Sequence, residues 1–129
     1  MAIESGSMIV TSTARVKSDR PSRYAKQLTN HLGEKLSTTW DPEEKRGSVV
    51  LLGKGVDHED QRFAFDGSAT CDLIAGDGVL LLHIESPAEL IERFEQVLGG
   101  HLVGFASREE MKIAFRRGDG SEGLYFESV

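Results

Sequence analysis

The sequence predicts an α+β fold in which two helices pack on one face of an antiparallel β-sheet. Two amphipathic segments with helical spacing are widely separated along the chain, and short segments of alternating hydrophobicity lie before, between and after them. Strands that follow one another without intervening helices are typical of antiparallel sheets, whereas parallel sheets alternate strands with helices. The predicted element order is β-α-β-β-β-β-α-β.

The first helix is predicted to begin after Ser18 or Asp19, because Pro21 then falls in the first turn, where a missing N–H has no cost. Its apolar residues recur at every fourth position: Tyr24, Leu28 and Leu32. We expect Gly33 to end this helix in a left-handed conformation.

The second helix is predicted to open with a capping box, since Ser86 is followed by Pro87 and then by Glu89. Its apolar residues recur at helical spacing: Leu90, Ile91, Phe94, Val97, Leu98, Leu102 and Phe105. Gly99 and Gly100 each weaken a helix by about 1 kcal/mol relative to alanine. They indicate either a close approach of another chain segment or a premature end near residue 98.

Seven segments are candidate strands, one of them uncertain, because apolar and polar residues alternate along them. They are residues 10–16, 36–40, 48–52, 62–65, 69–75, 79–85 and 111–115. Asp77 and Gly78 join two of these strands and are a strong hairpin signal.

The chain has 129 residues, a common size for one domain. We interpret residues 8–117 as a single α+β domain between a flexible N-terminus, residues 1–7, and a flexible C-terminal tail, residues 118–129. Residues 48–60 are either an inserted loop or an extra strand. The single cysteine, Cys71, excludes a disulfide framework and is expected to point inward.

The formal net charge of −6 argues against nucleic-acid binding, because affinity for phosphates requires clustered Lys and Arg. Residues 11–35 nevertheless carry six basic side chains and two acidic ones, and are either a solvated surface or a surface for an anion. The first residues have no signal-peptide pattern, and the longest apolar run, Val79–Leu82, is too short to span a bilayer. We therefore expect a cytoplasmic protein that does not associate with membranes.

The two helices share a pattern that recurs after seventy residues. It comprises Arg23-Tyr24, Leu28 and His31-Leu32 in the first helix and Arg93-Phe94, Leu98 and His101-Leu102 in the second. Packing alone explains the aromatic and Leu positions, so the paired Arg and His are the informative part. This pattern indicates an internal duplication.

The duplicated residues predict a ligand site between the helices, since helices side by side on one sheet face can bring His31 and His101 together. Arg23 and Arg93 are candidates for binding an anion through bidentate hydrogen bonds, and Tyr24 adjoins Arg23. Imidazoles also bind transition metals, but two of them do not make a stable site, so no metal is predicted. The interpretation that we favour is that both histidines are buried, hydrogen-bonded core residues and that the Arg stems lie along the sheet edge.

Residues 79–85 are apolar on both faces of their strand. Val79, Leu81 and His83 point to the face away from the helices, while the residues between them point toward the helices. Such a face is expected to be covered, either by a second copy of the chain in a homodimer or by the inserted segment.

Several blocks of sequence carry a resemblance to a known family. They are Thr11–Val16, Arg20–Tyr24, Gln27-Leu28, His31-Leu32-Gly33, Trp40-Asp41, Phe63–Gly67, Cys71-Asp72-Leu73, His101-Leu102, Phe105-Ala106 and Arg108-Glu109. On these blocks the chain resembles the bacterial domain-of-unknown-function family 2218. Members of that family stand alone or are fused to flavin-dependent siderophore-interacting reductases, which implies a link to iron handling. The resemblance implies no catalytic residues. The element order also resembles that of the TATA-binding-protein fold.

The leading functional hypothesis is a non-enzymatic small-molecule-binding or accessory module that takes a small anionic ligand, linked to iron or siderophore metabolism through the resemblance. One alternative is a small enzyme or metal-binding protein that uses His31 or His101. Another is a purely structural dimerisation module. A pocket lined by both histidines and an arginine favours the first two, whereas a solid core there favours the third. No cofactor is predicted.

Overall fold

The computed structural model describes residues 8–106 and 109–128, so the expected flexible N-terminus, residues 1–7, lies outside the described residues. Within them the chain forms seven strands, two helices and two short 3₁₀ turns. They are β1 (Ile9–Lys17), α1 (Pro21–Leu32), β2 (Ser37–Asp41), β3 (Arg46–Leu52), a turn (Gln61–Phe63), β4 (Ser68–Ala75), β5 (Val79–Pro87), a turn (Ala88–Leu90), α2 (Ile91–Phe105), β6 (Lys112–Arg117) and β7 (Glu122–Glu127). No helix in this described part is long and apolar enough to cross a membrane.

The strands form one sheet in the order β2-β3-β4-β5-β1-β6-β7, and every neighbouring pair is antiparallel. The β1–β5 pair runs through nine positions, from Ile9 opposite Pro87 to Lys17 opposite Val79. The predicted α+β class is confirmed. The predicted order of elements is also found, with one further strand, β7, added at its end.

Both helices cover the same face of the sheet. In β5, Leu80, Leu82 and Ile84 are fully buried, and they alternate with the half-buried Leu81 and His83. α1 packs over β2, β3, β4 and β5, and α2 packs over β1, β5, β6 and β7. Burying an aliphatic side chain of this size contributes about 1.5–3 kcal/mol, so the apolar stripes of both helices hold them to this face.

The other side of the sheet, here called the open face, is covered by neither helix. Leu81 and Ile74 lie opposite each other on it and are half-buried. Thr13 Oγ1 lies 2.9 Å from His83 Nδ1, which ties β1 to β5 on the same face. Near its margins, Tyr125 has 54% of its surface exposed. The open face is thus a mixture of aliphatic and polar side chains.

The interpretation of residues 118–129 as a flexible tail is wrong. The chain turns after β6, and Glu122–Glu127 form β7 beside it. Phe126 packs edge-on against Phe115, with ring centroids 6.4 Å apart, and it lies over Gly99 of α2, where a Cβ would collide with its ring. Gly99 therefore marks a close approach, and the alternative of a premature end to the second helix is excluded.

Three local predictions, two about helix ends and one about a strand, are also wrong. Ser86 and Pro87 extend β5 instead of capping the second helix, which begins at Ile91. β1 pairs with β5 as far as Pro87, and this sheet pairing outweighs the local capping signal. Gly33 follows α1 with a φ of −64°, which is right-handed. Residues 62–65 form no strand, because a 3₁₀ turn occupies their beginning.

Residues 53–67 form a closed loop, here called the inserted loop. Of the segment for which a loop or an extra strand was predicted, residues 48–52 belong to β3 and the remainder lies in this loop. The N–H of Lys54 donates to the carbonyl of Phe63 at 2.8 Å, which closes the loop on itself. Phe63 is buried, and Lys54 Nζ lies 4.6 Å from its ring centroid. Phe63 thus anchors the loop to the core.

A charged side chain, Glu95, lies in the core between α2 and the sheet and is fully buried. Its carboxylate accepts hydrogen bonds from Ser12 Oγ at 2.6 Å, from Arg117 Nη2 at 2.9 Å and from the N–H of Leu124 at 3.1 Å. Burial opposes ionisation of Glu95, but these hydrogen bonds outweigh it and hold the pKa of the carboxyl below its ordinary value. The cluster links α2 to β1, β6 and β7.

Candidate functional site

The duplicated histidines meet between the two helices. His31 lies in the last turn of α1 and His101 in the C-terminal half of α2, and their ring centroids are 4.9 Å apart at an interplanar angle of 48°. Phe105 packs against both, with centroids 5.6 Å from His31 and 6.4 Å from His101. The expectation that the pseudo-symmetry of the helices brings the two imidazoles together is confirmed.

The favoured interpretation, that both histidines are buried core residues, is wrong for His31. His31 is exposed and His101 is half-buried, whereas Leu28 and Leu32 beside His31 are buried. Adjacent helix residues project about 100° apart, so His31 lies beside the buried stripe of α1 and not within it. Both imidazoles therefore line a surface and are accessible to a ligand.

One hydrogen bond fixes the proton arrangement of His101. Its Nδ1 lies 2.6 Å from the carbonyl oxygen of Val97, one turn earlier in α2. A carbonyl oxygen can only accept, so Nδ1 carries the proton. The other ring nitrogen, Nε2, is then an acceptor in the neutral ring and a donor when the ring is protonated. His101 thus has one nitrogen committed to the helix and one left for chemistry.

A cavity of about 430 Å³ opens beside the histidine pair. Its polar lining comes from His31, from Glu34 and Lys35 after α1, from Arg62 of the inserted loop, and from Arg93 and His101 of α2. The volume lies within the usual range for small-molecule sites. Three cationic side chains and two imidazoles face a single carboxylate, so the lining favours an anionic occupant.

The remaining lining of the cavity is apolar. Phe94, Leu51, Phe63 and Leu32 are each less than a tenth exposed, so they form a floor continuous with the protein core. Val97 is half-buried and also lines the cavity. An apolar floor with polar groups around it is the usual composition of a ligand site.

Part of the cationic lining is already engaged within the protein. Arg93 Nη2 donates to the carbonyl oxygen of Arg62 at 2.7 Å, which fastens the inserted loop to α2. Arg62 in turn donates through Nε and Nη2 to both carboxylate oxygens of Asp60, at 3.1 and 2.8 Å. The hydrogen bonds from Arg62 hold the pKa of Asp60 well below its usual range. The charge of Arg62 is thus largely balanced, while Arg93 forms no ion pair with any of the described residues.

The other two predicted site residues lie elsewhere. Arg23 lines a separate depression with Lys45 and Asp77. Tyr24 is buried, and burial together with a hydrogen bond to the Glu109 carboxylate raises the pKa of its phenol. The structure therefore brings His31, His101 and Arg93 together and leaves Arg23 and Tyr24 outside the cavity.

Metal ligands do not cluster in the described part of the chain: no three His, Cys, Asp or Glu side chains there are placed to hold one ion. Cys71 is fully buried, and burial raises the pKa of its thiol far above its ordinary value. A buried, protonated thiol is a poor nucleophile and a poor metal ligand. The chemistry available is therefore concentrated at the histidine cavity.

Residues 13–116 match the protein family described as an uncharacterized protein conserved in bacteria, DUF2218. The chain belongs to this family. The match covers the sheet from β1 to β6 and stops before β7, so the last strand lies beyond the family's shared region.

The NMR structure of PA4090 from Pseudomonas aeruginosa is similar to this DUF2218 protein. The two have a TM-score of 0.58 and 24% sequence identity, and the alignment covers 83% of this chain and 95% of the other. At this identity the likeness shows a shared fold. A search of curated proteins found no match.

Sequence reasoning missed the contributions of Lys35, Glu34 and Arg62 to the cavity. Lys35 and Glu34 lie within the basic segment, residues 11–35, for which a surface for an anion was one of two interpretations, so a partial signal existed. No sequence signal pointed to Arg62, because its position at the cavity depends on how the inserted loop folds back over α2. The apolar residues that form the floor of the cavity were predicted only as core residues.

Proposed function

We propose that this DUF2218 protein is a non-enzymatic binding module that takes a small anionic molecule in the cavity beside His31 and His101. The observation that carries the proposal is the convergence of Arg93, Lys35 and two imidazoles on one cavity of about 430 Å³. These side chains come from both helices and from the turn after α1. Their convergence therefore requires the folded chain and differs from a scatter of surface charges.

The chemistry of the cavity supports binding more than catalysis. The cavity collects donors for an anion, but the described residues around it include no buried nucleophile and no carboxylate pair for acid–base work. The resemblance to modules fused with siderophore-interacting reductases favours a role in iron handling. We infer that the anion belongs to that metabolism and that the module holds or presents it.

The proposal predicts that citrate or 2-naphthoate perturbs the backbone amide resonances of the cavity residues in a ¹⁵N-labelled NMR titration. Arg93→Gln should weaken that binding about tenfold or more, because it removes a charged donor. Arg23→Gln is the matched control: it removes the duplicate arginine, which lies outside the cavity, and should leave binding unchanged. If neither anion perturbs the cavity residues, the proposed function is wrong.

A metal-binding role for the same histidines is the second candidate, favoured by the 4.9 Å separation of their rings. Two protein ligands fall short of the three or four that stable sites use. We therefore expect zinc, iron and copper to leave the melting temperature of the wild type unchanged. A gain of several degrees from one metal, lost in both His31→Ala and His101→Ala, would establish the metal role instead.

A further inference from the structure

We infer that the occupant of the cavity is an aromatic carboxylate that also carries a hydroxyl at its opposite end. This inference rests on the proposed function and narrows its ligand class. It depends on three features of α2: the cation at Arg93, the apolar stretch that follows it, and the nitrogen of His101 that the helix leaves uncommitted.

Arg93, Val97 and His101 are spaced four residues apart and therefore lie on one face of α2. Arg93 and His101 are thus separated by about 12 Å along the helix axis. Val97 lies between them, and the buried ring of Phe94 adds to the apolar floor. An occupant that engages both ends must carry polar groups at its two ends and an apolar body between them.

The Arg93 end takes the carboxylate. The guanidinium of Arg93 uses one N–H on the Arg62 carbonyl and retains further donors, whereas Arg62 is balanced by Asp60. Lys35, the remaining cation, lies next to Glu34 in the same lining. The positive charge of Arg93, which no ion pair among the described residues balances, thus suits a ligand with a single carboxylate. A polyanion such as citrate would carry more charge than these donors balance and would set charge against the apolar floor.

The His101 end takes the hydroxyl. Because Nδ1 donates to the Val97 carbonyl, Nε2 of the neutral ring can only accept, and it would repel a second carboxylate. A ligand hydroxyl donates to such an acceptor. The ring of His31 lines the cavity 4.9 Å from that of His101 and supplies a flat surface beside this end, against which an aromatic body packs.

The test compares four probes at pH 8, where imidazoles are ordinarily neutral: 6-hydroxy-2-naphthoate, 2-naphthoate, 2-naphthol and citrate. Dissociation constants come from naphthyl fluorescence or, for citrate, from calorimetry. We expect the hydroxynaphthoate to bind tightest. Loss of the carboxylate, in 2-naphthol, should cost about tenfold, and loss of the hydroxyl, in 2-naphthoate, about fivefold.

Variants assign each end of the ligand. In Arg93→Gln, 6-hydroxy-2-naphthoate should bind no tighter than 2-naphthol, which lacks the carboxylate, but should still bind tighter than 2-naphthoate, which lacks the hydroxyl. In His101→Gln, the hydroxynaphthoate should bind no tighter than 2-naphthoate but should still bind tighter than 2-naphthol. Equal or tighter binding of citrate, or a carboxylate penalty that survives Arg93→Gln, overturns the inference but leaves the proposed function standing. If no probe binds, citrate included, the proposed function itself fails. Should a variant not fold, the four probes on the wild type still decide the ligand class.

Discussion

Burial of Glu95 carries a large free-energy cost, because a carboxylate without exposed surface loses its contact with water. Its cost of burial is offset by Ser12, by the bidentate Arg117 and by the Leu124 N–H. Removing one ion of a buried pair destabilises a protein more than replacing both ions by apolar side chains, because the remaining charge loses its partner.

Glu95→Gln should therefore destabilise the protein by about 1–3 kcal/mol, because the guanidinium of Arg117, with 25% of its side chain exposed, loses its counter-charge and a charged acceptor. Urea denaturation followed by circular dichroism measures the change. Glu92→Gln, an exposed substitution in the same helix, is the matched control and should stay within about 0.5 kcal/mol of the wild type. A small effect of Glu95→Gln would mean that the pair contributes little beyond packing.

The depressed pKa of Glu95 also predicts a pH dependence of stability. Its ionised form is favoured by folding, so the contribution is fully present above the unfolded pKa of about 4.3 and is lost as the pH falls through the lower folded value. The stability of the wild type should thus decline on acidification below about pH 5, and Glu95→Gln should decline less steeply. Parallel pH–stability curves for the two proteins would contradict this assignment.

At the site, the sequence was most informative where the chain repeats itself. The paired Arg and His marked His31, His101 and Arg93, but the same logic also included Arg23, which lies outside the cavity. The duplication is of helix patterns, whereas the cavity is bounded on one side by the inserted loop, which has no counterpart beside Arg23. A repeated sequence pattern thus predicts similar faces on the two helices. Which of these faces borders a cavity depends on the elements that surround each helix.

At the scale of elements, long periodic segments were predictable and short or interrupted ones were not. β5 and α2 follow from their spacing, while the apolar residues of β7, Leu124, Tyr125 and Phe126, are consecutive and show no alternation. Phe126 packs against α2 because Gly99, which has no Cβ, leaves room there for its ring. That contact joins distant parts of the chain, so no local pattern contains it.

The inserted loop is predicted to depend on one anchor. Phe63→Ala should destabilise the protein by about 3–5 kcal/mol, since it empties a buried site that Lys54 and His58 pack against. Val56→Ala is the control in the same loop, at a side chain with 65% of its surface exposed, and should have little effect. Thermal melts measure both. Because Phe63 also lines the cavity, Phe63→Ala should weaken naphthoate binding as well.

At the scale of the whole molecule, the sheet has one face sealed by helices and one open face. On the open face, Arg15 and Arg116 lie on β1 and β6, and Asp72 and Glu85 lie on β4 and β5. Farther from β5, Arg46 of β3 and Glu127 of β7 carry the opposite charges on each side. Leu81 lies near the boundary between Arg15 and Asp72. A second copy related by a two-fold axis that runs along β5 near Leu81 would set Arg15 and Arg116 of one sheet over Asp72 and Glu85 of the other.

We therefore predict a homodimer formed through the open face, with Leu81, Val79 and His83 at its centre. Sedimentation equilibrium or light scattering at micromolar concentration should give the dimer mass for the wild type. Leu81→Arg should yield a monomer, because it sets like charges face to face across the two-fold axis in the apolar centre of the interface. Gln96→Arg, an exposed substitution on the helix side of the sheet, is the control and should remain dimeric. A monomer mass for the wild type would show that this mixed aliphatic and polar face is stable in water without a partner copy.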